Sequence, residues 1–198
     1  MKKGKLLTEG QAKRFYETDQ SEWGILEFSN PATAEISATL FKVLESKGVA
    51  THFEKLLSDG QMLVKRLAMI PIKVTIRNRL TGEMARLFGM EEGTTLVCPV
   101  YELHYKSKNL GDPLINDYHL LALKMATEEE LRVIRERSFQ GNHVLKQFFE
   151  EKNLELVDFQ LQFGRAKGKV LLGDEISSNT CHLWDVKTGK KFEKDLFS

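Results

Sequence analysis

LELVDFQLQFGRAKGKVLLGDEISSNTCHLWD, residues 154–185, is the stretch on which the fold turns. Phe159, Leu161 and Phe163 alternate with Asp158, Gln160 and Gln162. A period of two sends successive side chains to opposite faces, so the pattern predicts a strand with one apolar and one polar face. Arg165-Ala-Lys-Gly-Lys169 supplies a glycine-containing turn, and Val170-Leu-Leu172 reads as the returning strand. Such a hairpin sets the polar row 158, 160 and 162 beside Asp174-Glu175. Oxygen-bearing side chains gathered at the end of a rigid element can seat a divalent cation and a nucleotide phosphate. The same pattern also describes an ordinary half-buried hairpin with a solvated polar face. Periodicity by itself does not separate the two.

N-terminal to this stretch, residues 5–19 read as strand, glycine turn and strand, and residues 23–28 as a third strand. Gly10 beside Lys13 could bend over phosphates, although a plain turn explains it equally well. Asn30-Pro31 breaks the strand. Residues 32–46 then carry Ile36, Leu40, Phe41, Val43 and Leu44 at helical spacing, and Lys47-Gly48 ends them. Residues 51–57 and 61–67, joined by Ser58-Asp59-Gly60, form the clearest hairpin. Met69-Ile-Pro71 reads as a connector, since Pro71 cannot donate to a ladder and suits the start of a new strand at Ile72. A short helix at 81–89, a strand at 94–105 and a loop at 109–113 follow. Helices are predicted at 117–125 and, behind a Thr127/Glu130 capping box, at 128–153, with a break near Ser138–Gly141. The whole is an α+β pattern: a β-rich lobe over residues 1–68, a larger sheet-plus-helices lobe over residues 69–198, and a cleft between them.

Twenty-nine Lys and Arg against 28 Asp and Glu leave a net charge of +1. No global field then favours nucleic acid or an anionic membrane. No apolar run is long enough for a membrane span, and the basic start lacks the apolar segment of a secretory signal. The two cysteines, Cys98 and Cys181, are far apart, which fits reduced thiols in a cytoplasmic protein. The five histidines form no HxH or HExxH pair, so a zinc site is not expected.

Eight blocks taken together resemble the SAICAR synthetase family of purine biosynthesis. They are EGQAK, THFEKLLS, MLVKRLAMIPIKVTIRN, TGEMARLFGMEEGT, DPLIND, LVDFQLQFGR, LLGDEIS and CHLWD with its trailing KDLF, in family order and nearly spanning the chain. The resemblance implies two lobes with ATP in the cleft. It also implies ATP-dependent ligation of aspartate to carboxyaminoimidazole ribotide, with magnesium neutralising charge on the phosphoryl group. By position, Lys13 would contact ATP phosphates. Residues Lys65, Leu67 and Met69 would hold the adenine, Arg77 would lie near the ribotide phosphate, and Asp174 with Glu175 would bind metal. The implied partners are a nucleotide and a purine precursor, with homo-oligomerisation or association with a full-length relative left open.

The sequence departs from the family pattern at polar positions. The first lysine of the Gly-Lys-Ala-Lys loop is Gln11, and the Asp-Phe-Lys-Leu-Glu strand reads Asp158-Phe-Gln160-Leu-Gln162. Glu83 stands in the ribotide-phosphate turn, His182 replaces an arginine, and Lys73 reverses a glutamate. A lysine-bearing loop expected after Ala34 is missing, and residues 194–198 depart from a Lys-Asp-Arg-Phe-Arg segment beyond which the family continues. These changes predict weak magnesium-ATP binding. The alternative to the family reaction is an inactive or repurposed paralogue that keeps the fold for nucleotide binding or protein–protein regulation.

Overall fold

The computed structural model describes residues 1–57 and 60–192. Strands β1 (Lys3–Glu9), β2 (Lys13–Thr18) and β3 (Trp23–Phe28) form an antiparallel meander. Phe15 lies across Gly24, where an added Cβ would come within 2.2 Å of the ring, so any side chain here would displace Phe15. Helix α1 (Pro31–Ser46) follows, with Pro31 in its first turn. The Asn30 side chain accepts from the Ala32 amide at 3.0 Å. It is one unbroken helix through Ala34-Glu35, so the expected absence of an intervening loop is what the structure shows. Its Ile36, Leu40, Phe41 and Leu44 are buried, as the helical spacing required. Strands β4 (Phe53–Leu56) and β5 (Gln61–Lys65) complete a five-stranded sheet of order β1-β2-β3-β5-β4. Ser58 and Asp59 of the expected turn lie outside the described residues.

The chain then crosses to a larger sheet through β6 (Ala68–Met69) and β7 (Ile72–Arg79). After α2 (Gly82–Phe88) come β8 (Thr95–Tyr105), β9 (Leu114–Ile115), α3 (Asp117–Ala122) and α4 (Glu128–Glu150). The 13-residue β10 (Leu154–Ala166), β11 (Lys169–Gly173), β12 (Cys181–Asp185) and β13 (Lys191–Phe192) close the fold. β10 is the organising strand. Its N-terminal half is flanked by β12 and β7, and its C-terminal half pairs with β11 and, at Gly164 and Arg165, with β6. Phe159, Leu161 and Phe163 are buried as the alternation predicted.

The expected break in α4 is corrected. The helix runs continuously through both of its helix-weakening residues. Ser138 is buried with its hydroxyl bonded to the Ile134 carbonyl at 2.7 Å, and buried Gly141 lies beside Leu44 of α1, where an added Cβ would stand at an ordinary contact distance of 3.7 Å. The capping box at Thr127 and Glu130 is present in both directions. Replacing Thr127 with Ala removes the acceptor for the Glu130 amide and should cost about 1 kcal/mol in urea denaturation.

Candidate functional site

One ionic link joins the five-stranded sheet to the end of β11. The ammonium of Lys13, at the start of β2, lies 2.8 Å from Asp174 Oδ1 and 2.7 Å from Glu175 Oε1, just past the end of β11. Burial works against a charged lysine here, but the two carboxylates outweigh it and hold Lys13 above its ordinary pKa. Asp174 has φ +64°, a left-handed conformation that aspartate tolerates better than most residues. Its carbonyl oxygen accepts from Nε2 of buried His52 at 3.1 Å. Its second carboxylate oxygen accepts from the Gln162 amide at 2.6 Å, and Lys106 donates to the Gln162 carbonyl. Glu175 Oε2 accepts from the Ser177 hydroxyl at 2.9 Å.

The connector lies alongside. Leu67 and Met69 pack over Gly164 and Gly173, and a Cβ at either glycine would come within 2.7 Å of Leu67. These glycines let the connector lie flat on β10 and β11 next to Asp174.

Arg77 belongs to a second cluster. It is the cross-strand neighbour of Asp158. Its Nε donates to Glu102 at 2.9 Å, and Nη1 sits 3.5 Å from Asp158 Oδ2. Buried Asp158 also accepts from Thr81 Oγ1 at 2.9 Å and bonds His182 Nδ1 at 2.7 Å. That hydrogen bond raises the pKa of His182, against the effect of its partial burial. Glu102 is lowered despite its burial, because His104 and Arg77 both bond it. A cavity of about 490 Å³ opens beside this cluster, lined by Arg77, Met84, Glu102, His104 and Asp112 among others.

The expected polar row therefore splits. Gln162 joins Asp174, whereas Asp158 turns to Arg77, Thr81 and His182 further along the strand. Lys13, Asp174 and Glu175 come together, Leu67 and Met69 flank them, and Arg77 stands apart with its charge engaged by two carboxylates. Lys65 pairs in register with Trp23. Phe28, in register with Lys13, faces the main core, so alternation along β3 puts Lys65 on the opposite face of the sheet from Lys13. His52, Thr81, Glu102 and Lys106 were not singled out from sequence. Only Glu102 and His104 carried a signal, as polar residues alternating with Tyr101 and Leu103 on β8. The Glu83 side chain and residues 193–198 lie outside the described residues.

A family model described as SAICAR synthetase matches residues 32–198. A phosphoribosylaminoimidazole-succinocarboxamide synthase of Clostridium kluyveri is 42% identical, covering 100% of this chain and 91% of that protein. The chain belongs to the SAICAR synthetase family. The alignment with the Clostridium kluyveri relative spans 214 positions against 198 residues here, so at least 16 positions of the relative have no counterpart. The crystal structure of the Ehrlichia chaffeensis synthase superposes with a TM-score of 0.93 at 33% identity, covering 96% of this chain and 90% of that one. A SAICAR synthetase solved in complex with ADP gives a TM-score of 0.91 at 34% identity, with 98% and 89% covered. These SAICAR synthetase structures share the α+β, two-sheet architecture described above.

Proposed function

We propose that the chain binds ATP between its lobes and uses it to join an amine to a carboxylate, the aspartate–carboxyaminoimidazole ribotide ligation of SAICAR synthetases. The observation that carries this reading is the Lys13 ammonium of the first lobe held by Asp174 and Glu175 of the second. A division at residues 68 and 69 places the amine and the two acids on opposite sides of the cleft. The ADP held by the related synthetase supports the nucleotide.

The residues fit such a ligand. Lys13 is an anion-binding group already oriented by its partners. Leu67 and Met69 offer apolar surface for a base. Asp174 and Glu175, with the Gln162 carbonyl, offer the hard oxygen donors that magnesium takes alongside substrate phosphates. Among the described residues no group of three His, Cys, Asp or Glu side chains forms a metal centre. Bound ATP supplies the phosphoryl group that activates a carboxylate toward an amine. The protein's part is to align that phosphoryl group with Lys13 and to place the acceptor against the Arg77–Asp158–His182 cluster.

Rescue of a purine auxotroph lacking the usual synthase, together with ADP release from purified protein given aspartate and the ribotide, tests the proposal. Growth and ribotide-dependent ADP release would support it. A folded protein that releases no ADP would overturn it.

One observation favours a second reading, in which the fold binds nucleotide without turnover. Gln162 satisfies Asp174 with a neutral amide at 2.6 Å, where a metal site would place a further carboxylate. Gln162→Glu separates the two. Without metal the new carboxylate would crowd Asp174 and lower stability. With magnesium the added charge should tighten ion binding about tenfold or more, read by thermal shift against magnesium concentration. An unchanged magnesium response would show that position 162 does not reach the ion.

A further inference from the structure

A second cavity lies behind the connector and belongs to neither cluster. Its volume is about 920 Å³, and its lining includes Trp23, Lys65, Arg66, Leu67, Lys169 and Leu171. It spans both lobes: Trp23 and Lys65 come from the five-stranded sheet, and Lys169 and Leu171 from the β10–β11 hairpin. Trp23 and Lys65 share the face opposite Lys13, and none of Lys13, Asp174 and Glu175 lines this cavity.

Its chemistry is cationic over an apolar floor. Five basic side chains line it against two acidic ones, Glu22 and Glu45. Glu22 is engaged with Lys167 at 2.9 Å, and Glu45 accepts from Thr51. Among the described residues, Lys65, Arg66 and Lys169 have no carboxylate partner. The whole chain carries only +1, so three unpaired cations around one cavity are a local concentration rather than a general excess. Trp23 is half-buried and stacks on no other ring among the described residues. A flat apolar face beside unpaired cations suits a ligand with a planar ring at one end and a multiply charged anion at the other.

We propose that this rear cavity is a second ligand site for an aromatic phosphate of nucleoside monophosphate size, its ring against Trp23 and its anion on Lys65, Arg66 and Lys169. The occupant touches both lobes and the connector between them, so binding holds the lobes in one relative position. The inference does not rest on turnover at the Lys13 cluster.

Calorimetric titration with AMP, repeated with inorganic phosphate, tests it on the full chain. AMP should bind saturably and about tenfold or more tighter than phosphate, the ring supplying the difference. Arg66→Ala and Lys169→Ala, both at exposed positions, should each weaken AMP about fivefold or more by loss of a charge-assisted contact, whereas Lys13→Met should leave in place the binding component that those two substitutions remove. AMP binding abolished by Lys13→Met and indifferent to Arg66→Ala and Lys169→Ala would place the ligand in the front site and overturn the proposal. No AMP binding, or affinity equal to that of phosphate, would overturn it too.

Discussion

Lys13→Ala should destabilise the protein by about 3 kcal/mol and, where ligation is assayed, reduce ATP-dependent turnover by about 100-fold or more. The first effect follows from what the substitution leaves behind. Asp174 Oδ1 and Glu175 Oε1 both lie within 2.8 Å of one ammonium, and Glu175 is buried. Removing the cation strands two adjacent carboxylates in a setting where water reaches them poorly. Breaking such a pair costs far more than a surface ion pair, whose loss is worth less than about 1 kcal/mol. The low end of the buried range applies, since Lys13 and Asp174 keep 18% and 17% of their side-chain surface exposed. A diagnostic follows from the charge balance. With Lys13 gone, millimolar magnesium should raise the melting temperature of the variant more than that of the native protein, because the ion replaces the missing charge between the two acids. Urea denaturation with and without magnesium measures both numbers. A loss under about 1 kcal/mol, or equal magnesium responses, would mean that the cluster is looser than its distances indicate.

Acid should weaken the protein through His52 before most carboxylates titrate. The ring is 4% exposed, and burial pushes its pKa down to about 4 from an ordinary 6.5. The nearby Asp174 charge opposes the shift, and the positive Lys13 and Lys65 add to it. His52 packs edge-on against Phe41 at 5.3 Å between ring centres, and its Nε2–H bond to the Asp174 carbonyl favours the charged ring, but burial outweighs that bond and leaves the neutral form favoured. The depressed pKa belongs to a base, so between about pH 6.5 and 4 the unfolded chain binds the extra proton and the folded chain does not. Stability contributed by neutral His52 is complete above pH 6.5, falls as pH drops toward 4, and is flat below. The full span is about 3 kcal/mol, from a shift of roughly two and a half units at 1.36 kcal/mol each. His52→Gln keeps a polar group near the Asp174 carbonyl but cannot titrate. The native protein should therefore lose stability more steeply than the variant across that window, and parallel curves would refute the assignment. Because His52 braces the backbone of Asp174, the same protonation should loosen the Lys13 cluster first.

Much of the fold was written in local patterning. The alternation of Phe159, Leu161 and Phe163 identified β10 and its buried face, the spacing of Ile36, Leu40, Phe41 and Leu44 identified α1, and Thr127 with Glu130 marked the start of α4. These signals are legible because they depend on neighbours two to four residues apart. The continuity of α4 was not legible. Ser138 and Gly141 weaken an isolated helix, but Ser138 turns its hydroxyl back to the Ile134 carbonyl and both positions are buried in the fold. The site divided along the same line. Lys13, Asp174 and Glu175 stood out by resemblance, whereas His52, Thr81, Glu102 and Lys106 did not, because each acquires its role from a partner between 25 and 122 residues away.

From the order of residues alone came the element types, the α+β class and the chemical character of each candidate side chain, which composition and short-range periodicity carry, and the SAICAR synthetase kinship, which rests on the resemblance of eight blocks in family order. Tertiary structure alone decided which charges are already spent: that Lys13 bridges two acids, that Arg77 is held by Glu102 and Asp158, and that Lys65 lies on the sheet face opposite Lys13. Pairing of charges depends on ångström-scale distance across strands remote in the chain, and no local pattern contains that distance.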